Sequence, residues 1–196
     1  MPHIHTKKNQ HDMTASAWIV RRVDDEWKCL VHFHRKIEKY MQIGGHIELD
    51  ETPWQTMVHE LREESGYTPE ELFVLQHTES LPADVGNISH PVPFAMNTHS
   101  VGNEHYHSDL CYGFVALELP KENVAEDESD DFLWASTDEL AQLASEGRAL
   151  EDVANCYEFL LQNIESYVQV PAQNFSLEKP IKSSATYRRG AVEREA

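Results

Sequence analysis

Three glutamates, Glu60, Glu63 and Glu64, lie three and four residues apart within the segment TPWQTMVHELREESG. On a helical wheel with Trp54 at zero, Glu63 falls at about 180°, Glu60 at about 240° and Glu64 at about 280°. Carboxylates gathered on one arc favour a bound divalent cation, which reverses the sign of their repulsion. Without a cation, like charges at these spacings cost roughly 0.2–0.5 kcal/mol per pair. Glu63 and Glu64 also fall in the last turn, where the helix dipole adds about 0.3–1 kcal/mol against each. The plain alternative is a solvated acidic face in a chain with 34 Asp and Glu.

The elements around this segment must position it. Thr52 is a good N-cap, Pro53 suits the first helical position, and Gln55 completes a capping box. Trp54, Met57, Val58 and Leu61 form one apolar stripe, so the wheel predicts the three carboxylates on the face opposite the core. Gly66 predicts a left-handed C-terminal stop. Upstream, residues 14–20 read as a buried strand. Residues 28–34 read as a second, with Leu30, His32 and His34 on one face. VDDEW joins the two as an antiparallel hairpin. His32 and His34 read as strand-surface residues. MQIGGHIE reads as a short strand ending in Gly44-Gly45, where backbone with positive φ or a close approach is allowed.

Downstream, ELFVLQHT (71–78) reads as a strand. Residues 80–105 read as a long polar excursion with one short strand near PFAMNTH. Residues 107–118 read as a strand, and the acidic loop KENVAEDESDD leads to a short strand at FLWAS. Helices open at Thr137 and run from Leu150 to Val168. The polar stretch from about Pro171 reads as a loosely held tail. The division expected is an N-terminal extension (1–11), one domain (12–170) and a tail (171–196).

Composition sets outer bounds. The chain has 196 residues, 16 basic against 34 acidic side chains, and a formal net charge of -18. That size fits a single domain, large enough to fold without disulfide or metal staples. The charge argues against nucleic-acid polymers and anionic membranes, which are gripped by Lys and Arg. Cys29, Cys111 and Cys156 are odd in number and form no CxxC pair, which predicts free thiols and a cytoplasmic setting. There is no apolar run of about 18 residues to suggest a membrane span, and the N-terminus does not read as a signal peptide.

The spacing from residue 45 to 67 is specific: Gly45, five residues, Glu51, seven residues, His59-Glu60-Leu61, one residue, Glu63-Glu64, one residue, Gly66-Tyr67. This resembles the Nudix box, the signature of the Nudix hydrolases. Every fixed position matches except one, where His59 stands in place of an arginine, and Tyr67 is a loose match to a final aliphatic residue. The box covers 23 residues; the flanking elements extend the resemblance over about 12–165.

The resemblance implies an α/β fold, the Nudix-type α/β/α sandwich around a mixed β-sheet. It implies hydrolysis of a nucleoside diphosphate linked to another moiety, by water attacking phosphorus. Glu60, Glu63 and Glu64 would hold Mg²⁺, or alternatively Mn²⁺, and Glu63 and Glu64 would serve catalysis directly. Gly45 would let the loop backbone pass close to the metal site, and Glu51 would brace the helix and its carboxylates. His59 would have to bridge carboxylates in place of the arginine, and it pairs charges only when protonated. Glu128 resembles the loop acid that serves some members as general base; the alternative is one solvated acid in a run. Family members are often homodimers.

His105, His107 and Asp109 project on one face of a strand. A substrate-facing role, structural hydrogen bonding and a zinc half-site are the three readings of this HxHxD pattern. Trp18, Trp27 and Trp134 read as packing residues, and Cys111 as an inert buried thiol. The function expected is a Mg²⁺-dependent pyrophosphohydrolase acting on a small nucleotide-type diphosphate. The competing reading, favoured by His59, is a catalytically weak module that binds or senses a nucleotide metabolite.

Overall fold

A 13-residue strand, β1 (His11–Val23), is the hub of the fold. Its polar-apolar pattern gives way to a run buried on both sides, Ala15 to Val20. Such a strand needs layers on both faces. In the computed structural model, which describes residues 7–77, 90–102 and 104–178, those layers are helices. The other strands are β2 (Glu26–His34), β3 (Lys39–Met41), β4 (Ile43–His46), β5 (Leu72–Gln76), β6 (Ala95–Gly102), β7 (His105–Ala116), β8 (Phe132–Ala135) and β9 (Val168–Pro171). The helices are α1 (Pro53–Ser65), α2 (Thr137–Ser145) and α3 (Glu151–Gln162).

The path through the sheet is β3-β2-β1-β7-β5-β9, with β4 also paired to β1, β6 to β7 and β8 to β2. Among the described strands only β1 and β7 pair in parallel, so the sheet is mixed. The β1–β2 hairpin closes through Asp24 and Asp25, at φ 49° and 64°. Two left-handed residues in a two-residue loop match the twist of the flanking strands. On its other stretch β1 pairs with β4, Ala17 opposite Ile43 and Thr14 opposite His46. The sheet therefore forks along β1, between the part paired to β4 and the part paired to β2 from Val20 onward.

Alternation along β1 and β7 sorts the two cores. Ala15, Ala17, Ile19, Tyr112 and Phe114 face Trp54, Met57 and Leu61 of α1. Trp18, Val20, Cys111 and Val115 face Leu140 of α2 and Tyr157 and Leu160 of α3. This is the expected α/β/α sandwich. Cys29, Cys111 and Cys156 are free. No helix among the described residues is long and apolar enough to cross a membrane.

Some element boundaries differ from the sequence reading. The strand expected over 71–78 is β5, which starts later because Pro69–Glu71 form a 3-10 turn and ends at Gln76; Thr78 and residues 80–89 and 103 of the 80–105 excursion lie outside the described residues. The last helix stops at Gln162 instead of continuing to Val168. Val168 and Val170 belong to β9, antiparallel to β5. Residues after 170 also pack: Ala172 and Phe175 are buried, and the Phe175 ring lies 5.8 Å from that of Trp54. The folded domain thus passes the boundary expected at 170. Residues 1–6 of the extension and 179–196 of the tail lie outside the described residues.

Candidate active site

Helix α1 begins as its sequence dictates. The Thr52 hydroxyl accepts from the Gln55 backbone N–H, and the Gln55 side chain accepts from the Thr52 N–H. Gly66 closes the helix in the left-handed region at φ 72°, its N–H donating to the Arg62 carbonyl. The loop 117–131 crosses this end. Ala125 donates to the Glu63 carbonyl at 2.8 Å, satisfying one of the carbonyls a helix end leaves open.

The wheel misplaced two of the three carboxylates. Glu60 and Glu64 are buried, at 5% and 6% exposure; only Glu63 points outward. The cause is β4, which lies along the flank of α1 and covers it. The Gly44 N–H donates to Glu64 Oε2 at 2.8 Å. Gly45 faces Glu60 so closely that a Cβ there would stand 2.1 Å from Oε1. Gly44, at φ 149°, lies against β1, where a Cβ would meet the Ala15 carbonyl oxygen at 2.4 Å. Both glycines are close-approach positions, one against backbone and one against a carboxylate.

Burial makes these acids resist ionisation. It pushes the Glu60 carboxyl up to about 7, with Glu63 and Glu128 adding to the push and His59 opposing it. It raises Glu64 well above the usual carboxylate range, helped by the charges of Glu60 and Glu128 and opposed by the Gly44 N–H. Glu128 is thus near enough to both to act on them through space. His32, expected on the surface, is 1% exposed, and its Nε2 lies 3.8 Å from Glu64 Oε2. Burial pulls its imidazole down to about 4, with His34 contributing. The neutral ring therefore adds no positive charge to the acids at neutral pH. The pattern held the clue: the alternation that places Leu30 in the core places His32 on the same face.

Glu51 and His59 brace the outer side. Glu51 Oε2 accepts from the Thr56 hydroxyl at 2.7 Å. His59 reaches Glu51 with Nδ1 at 3.4 Å and Glu63 with Nε2 at 2.9 Å. Burial lowers the His59 pKa, but the hydrogen bond to Glu63 and the charges of Glu63, Glu51 and Glu60 outweigh it, so the net shift is upward. One short ring thus spans two carboxylates.

Among the described residues, no three His, Cys, Asp or Glu side chains are gathered closely enough to hold a metal ion. Glu60 and Glu64 come together, while Glu63 is turned to His59. Two carboxylates are nevertheless an adequate donor set for Mg²⁺, which keeps several waters and is commonly held by one or two carboxylates plus substrate. Glu60 Oε1 is buried with no hydrogen-bond partner. A buried carboxylate oxygen in that state is costly unless something positive meets it. The residues present fit a divalent cation.

His105, His107 and Asp109 lie on the opposite face of the sheet from α1, beside Thr14 and Ser16. Asp109 accepts from the Thr14 hydroxyl at 2.7 Å, the Ser16 hydroxyl at 3.0 Å and the Cys111 thiol at 3.2 Å. His105 Nε2 is 3.3 Å from Asp12 Oδ2, and His107 Nε2 is 3.2 Å from His46 Nε2. Asp109 also lines a small cavity of about 90 Å³ with Trp18, Gln42, Asn97, His99 and Asp152. A larger cavity, about 650 Å³, opens on the α1 face, bordered by Ser65, Glu128, Phe132 and Trp134.

The family described as the NUDIX domain matches residues 10–153. Among solved structures, a NUDIX-family hydrolase from Clostridium perfringens is similar at TM-score 0.62 and 22% identity, over 78% of this chain and 97% of that one. An Ap4A hydrolase from C. elegans is similar at TM-score 0.58 and 13% identity, over 79% and 98%. The NUDIX domain of Shewanella oneidensis NrtR, solved with ADP ribose, is similar at TM-score 0.55 and 16% identity, over 82% and 90%. At these identities the structural likeness is one of fold. No curated protein matches the chain in sequence.

Proposed function

The chain belongs to the Nudix family of hydrolases, and on that premise we propose that it is a Mg²⁺- or Mn²⁺-dependent pyrophosphohydrolase. Its substrate would be a nucleoside diphosphate linked to another moiety. The observation that carries this reading is the buried Glu60–Glu64 pair, with one carboxylate oxygen unpartnered, against Gly44-Gly45. Burying two acids side by side is unfavourable for a fold and sensible for a cation site.

In this reading Glu60 and Glu64 would hold the ion, with Glu63, now on His59, as a further carboxylate within the same helix. When bound, the cation would offset diphosphate charge and acidify the attacking water. Glu128 takes the water's proton from the loop side. Glu51 and His59 hold the helix face in register. Asp109, fixed by Thr14 and Ser16, presents a carboxylate edge to the part of the substrate in the small cavity. His107 and His105 line the approach along β7 beside His46 and Asp12.

One observation favours a second reading, a module that binds a nucleotide metabolite without turning it over: His59 already occupies Glu63. Product release from a panel including ADP ribose and diadenosine polyphosphates, with Mg²⁺, separates the two. Turnover is expected. Binding without turnover on any member of the panel would overturn the hydrolase reading.

A further inference from the structure

His32 sits where the core would take an apolar side chain. It is 1% exposed, and both of its ring nitrogens are buried with no hydrogen-bond partner. Leu30, two residues earlier on the same face of β2, belongs to the core that packs on α1. A leucine at position 32 would continue that stripe. A buried imidazole with neither nitrogen satisfied costs free energy that a leucine would not. Packing alone therefore gives no reason for a histidine here.

The backbone under the ring is held from both sides. At His32, β2 is paired with Met41 of β3 and with Phe132 of β8. A side chain on such a strand is well placed to fix another group. Its nearest acceptor in the candidate site is Glu64, with Nε2 3.8 Å from Oε2. That is about 0.6 Å beyond a good N–H···O bond, roughly 3.2 Å at most, and a small turn of either side chain covers the gap. Oε2 already accepts from the Gly44 N–H at 2.8 Å. A carboxylate oxygen has lone pairs for two donors. Donors from two different strands, β4 and β2, would fix the carboxylate and leave its other oxygen to a cation. A lysine or arginine in this place would also satisfy Glu64, but its charge would repel the ion from the pair. A neutral imidazole donates without that repulsion.

We propose that His32 is a positioning residue for the cation site: its Nε2–H, together with the Gly44 N–H, holds Glu64 Oε2 and so sets that carboxylate for a divalent ion. This rests on the cation site read above and adds to it a residue from outside the 45–67 segment. Support of this kind, behind the groups that touch a metal, is commonly worth 10–100-fold in affinity.

Mn²⁺ alone is the probe, because electron paramagnetic resonance counts the free ion without any turnover. The binding that matters is the part lost in Glu60→Gln/Glu64→Gln. His32→Leu is expected to weaken it roughly tenfold or more. The melt of the metal-free variant should stay within about 2 °C of wild type or rise, since leucine replaces unsatisfied atoms. His32→Gln, whose amide N–H reaches about the place of Nε2, should bind Mn²⁺ within about threefold of wild type. His32→Asn, whose amide lies nearer the place of Nδ1, should remain as weak as His32→Leu. The comparison of these two amides decides the matter if His32→Leu folds poorly. A histidine with a structural role only would give the opposite pattern, a lowered melt with unchanged Mn²⁺ affinity. Unchanged affinity in His32→Leu, or equal affinity in His32→Gln and His32→Asn, would overturn the assignment and leave the cation site standing. Absence of Mn²⁺ binding at the Glu60–Glu64 pair in the wild-type chain would overturn both.

Discussion

Replacing Gly45 by alanine perturbs the candidate site through one added methyl group. The new Cβ would stand 2.1 Å from Glu60 Oε1 and 2.6 Å from its Cδ. To restore an ordinary 3.4 Å contact, the carboxylate must retreat by about 1.3 Å. The helix cannot supply that shift cheaply, because its cap and the buried Trp54, Met57 and Leu61 fix it. The Glu60 torsions must. The obstacle is the end of a flexible side chain, so the stability cost sits at the low end of overpacking, about 1 kcal/mol. For a domain of this size that lowers Tm by roughly 2–4 °C. The functional cost is larger, since misplacing a catalytic group by about 1 Å costs on the order of 100-fold. The expected result is kcat down about 100-fold with the melt lowered by only roughly 2–4 °C. The double variant Gly45→Ala/Glu60→Asp, which withdraws the carboxylate by one methylene, should recover part of the loss. Full activity in Gly45→Ala would refute the idea that Glu60 works from its position against the β4 backbone.

Three further outcomes follow from the same geometry. Gly44→Ala should be far more damaging to folding, because its Cβ would strike β1 backbone, with Ser16 Cα at 2.9 Å, at a φ that disfavours side chains; a melt lowered by no more than the roughly 2–4 °C expected of Gly45→Ala would contradict this. Saturating Mg²⁺, at about 100 times its Kd, should stabilise the wild-type chain by roughly 2.7 kcal/mol. The Glu60→Gln/Glu64→Gln double variant should show no such shift in differential scanning calorimetry, and an equal shift would place the cation elsewhere. His59→Arg should keep kcat within about threefold, since a guanidinium can span Glu51 and Glu63, whereas His59→Ala should lower kcat about tenfold; because that bridge is half exposed, stability should move by under about 1 kcal/mol in either variant. Equal activity of the two variants in steady-state assays would show that bridging by residue 59 is irrelevant.

The parts of this fold that were legible in the sequence are those decided locally. Thr52, Pro53, Gln55 and Gly66 specify α1 through contacts within four residues of one another, and the structure has each of them. The Asp24-Asp25 turn falls in the same class, whereas the sandwich was implied by the resemblance carried by residues 45–67 and not by any local period. The setting of Glu60 and Glu64 was not legible, because it depends on β4 lying along the flank of α1, a contact the wheel does not contain. His32 was missed for a related reason: its face was readable, but what covers that face was not. Val168 and Val170 fit helical spacing and strand alternation alike, and only the partner strand β5 decides between them. His105, His107 and Asp109 were correctly given one face, yet which side of the sheet that face adjoins is a matter of topology.

The parallel pairing of β1 with β7 also shapes how the chain is made. Ala15 meets Leu110 and Val20 meets Val115, partners separated by 95 residues. At about 5–20 residues per second, a ribosome needs roughly 5–20 s between emitting one strand and the other. During that interval β1 can gather only its near neighbours, β2 and β4, leaving its other backbone edge unpaired. Such an edge is open to pairing with another chain. This long-range pairing in the middle of the sheet thus makes the first-made half of the candidate site wait for the second, and sets a period in which the nascent chain depends on dilution or a chaperone to stay single.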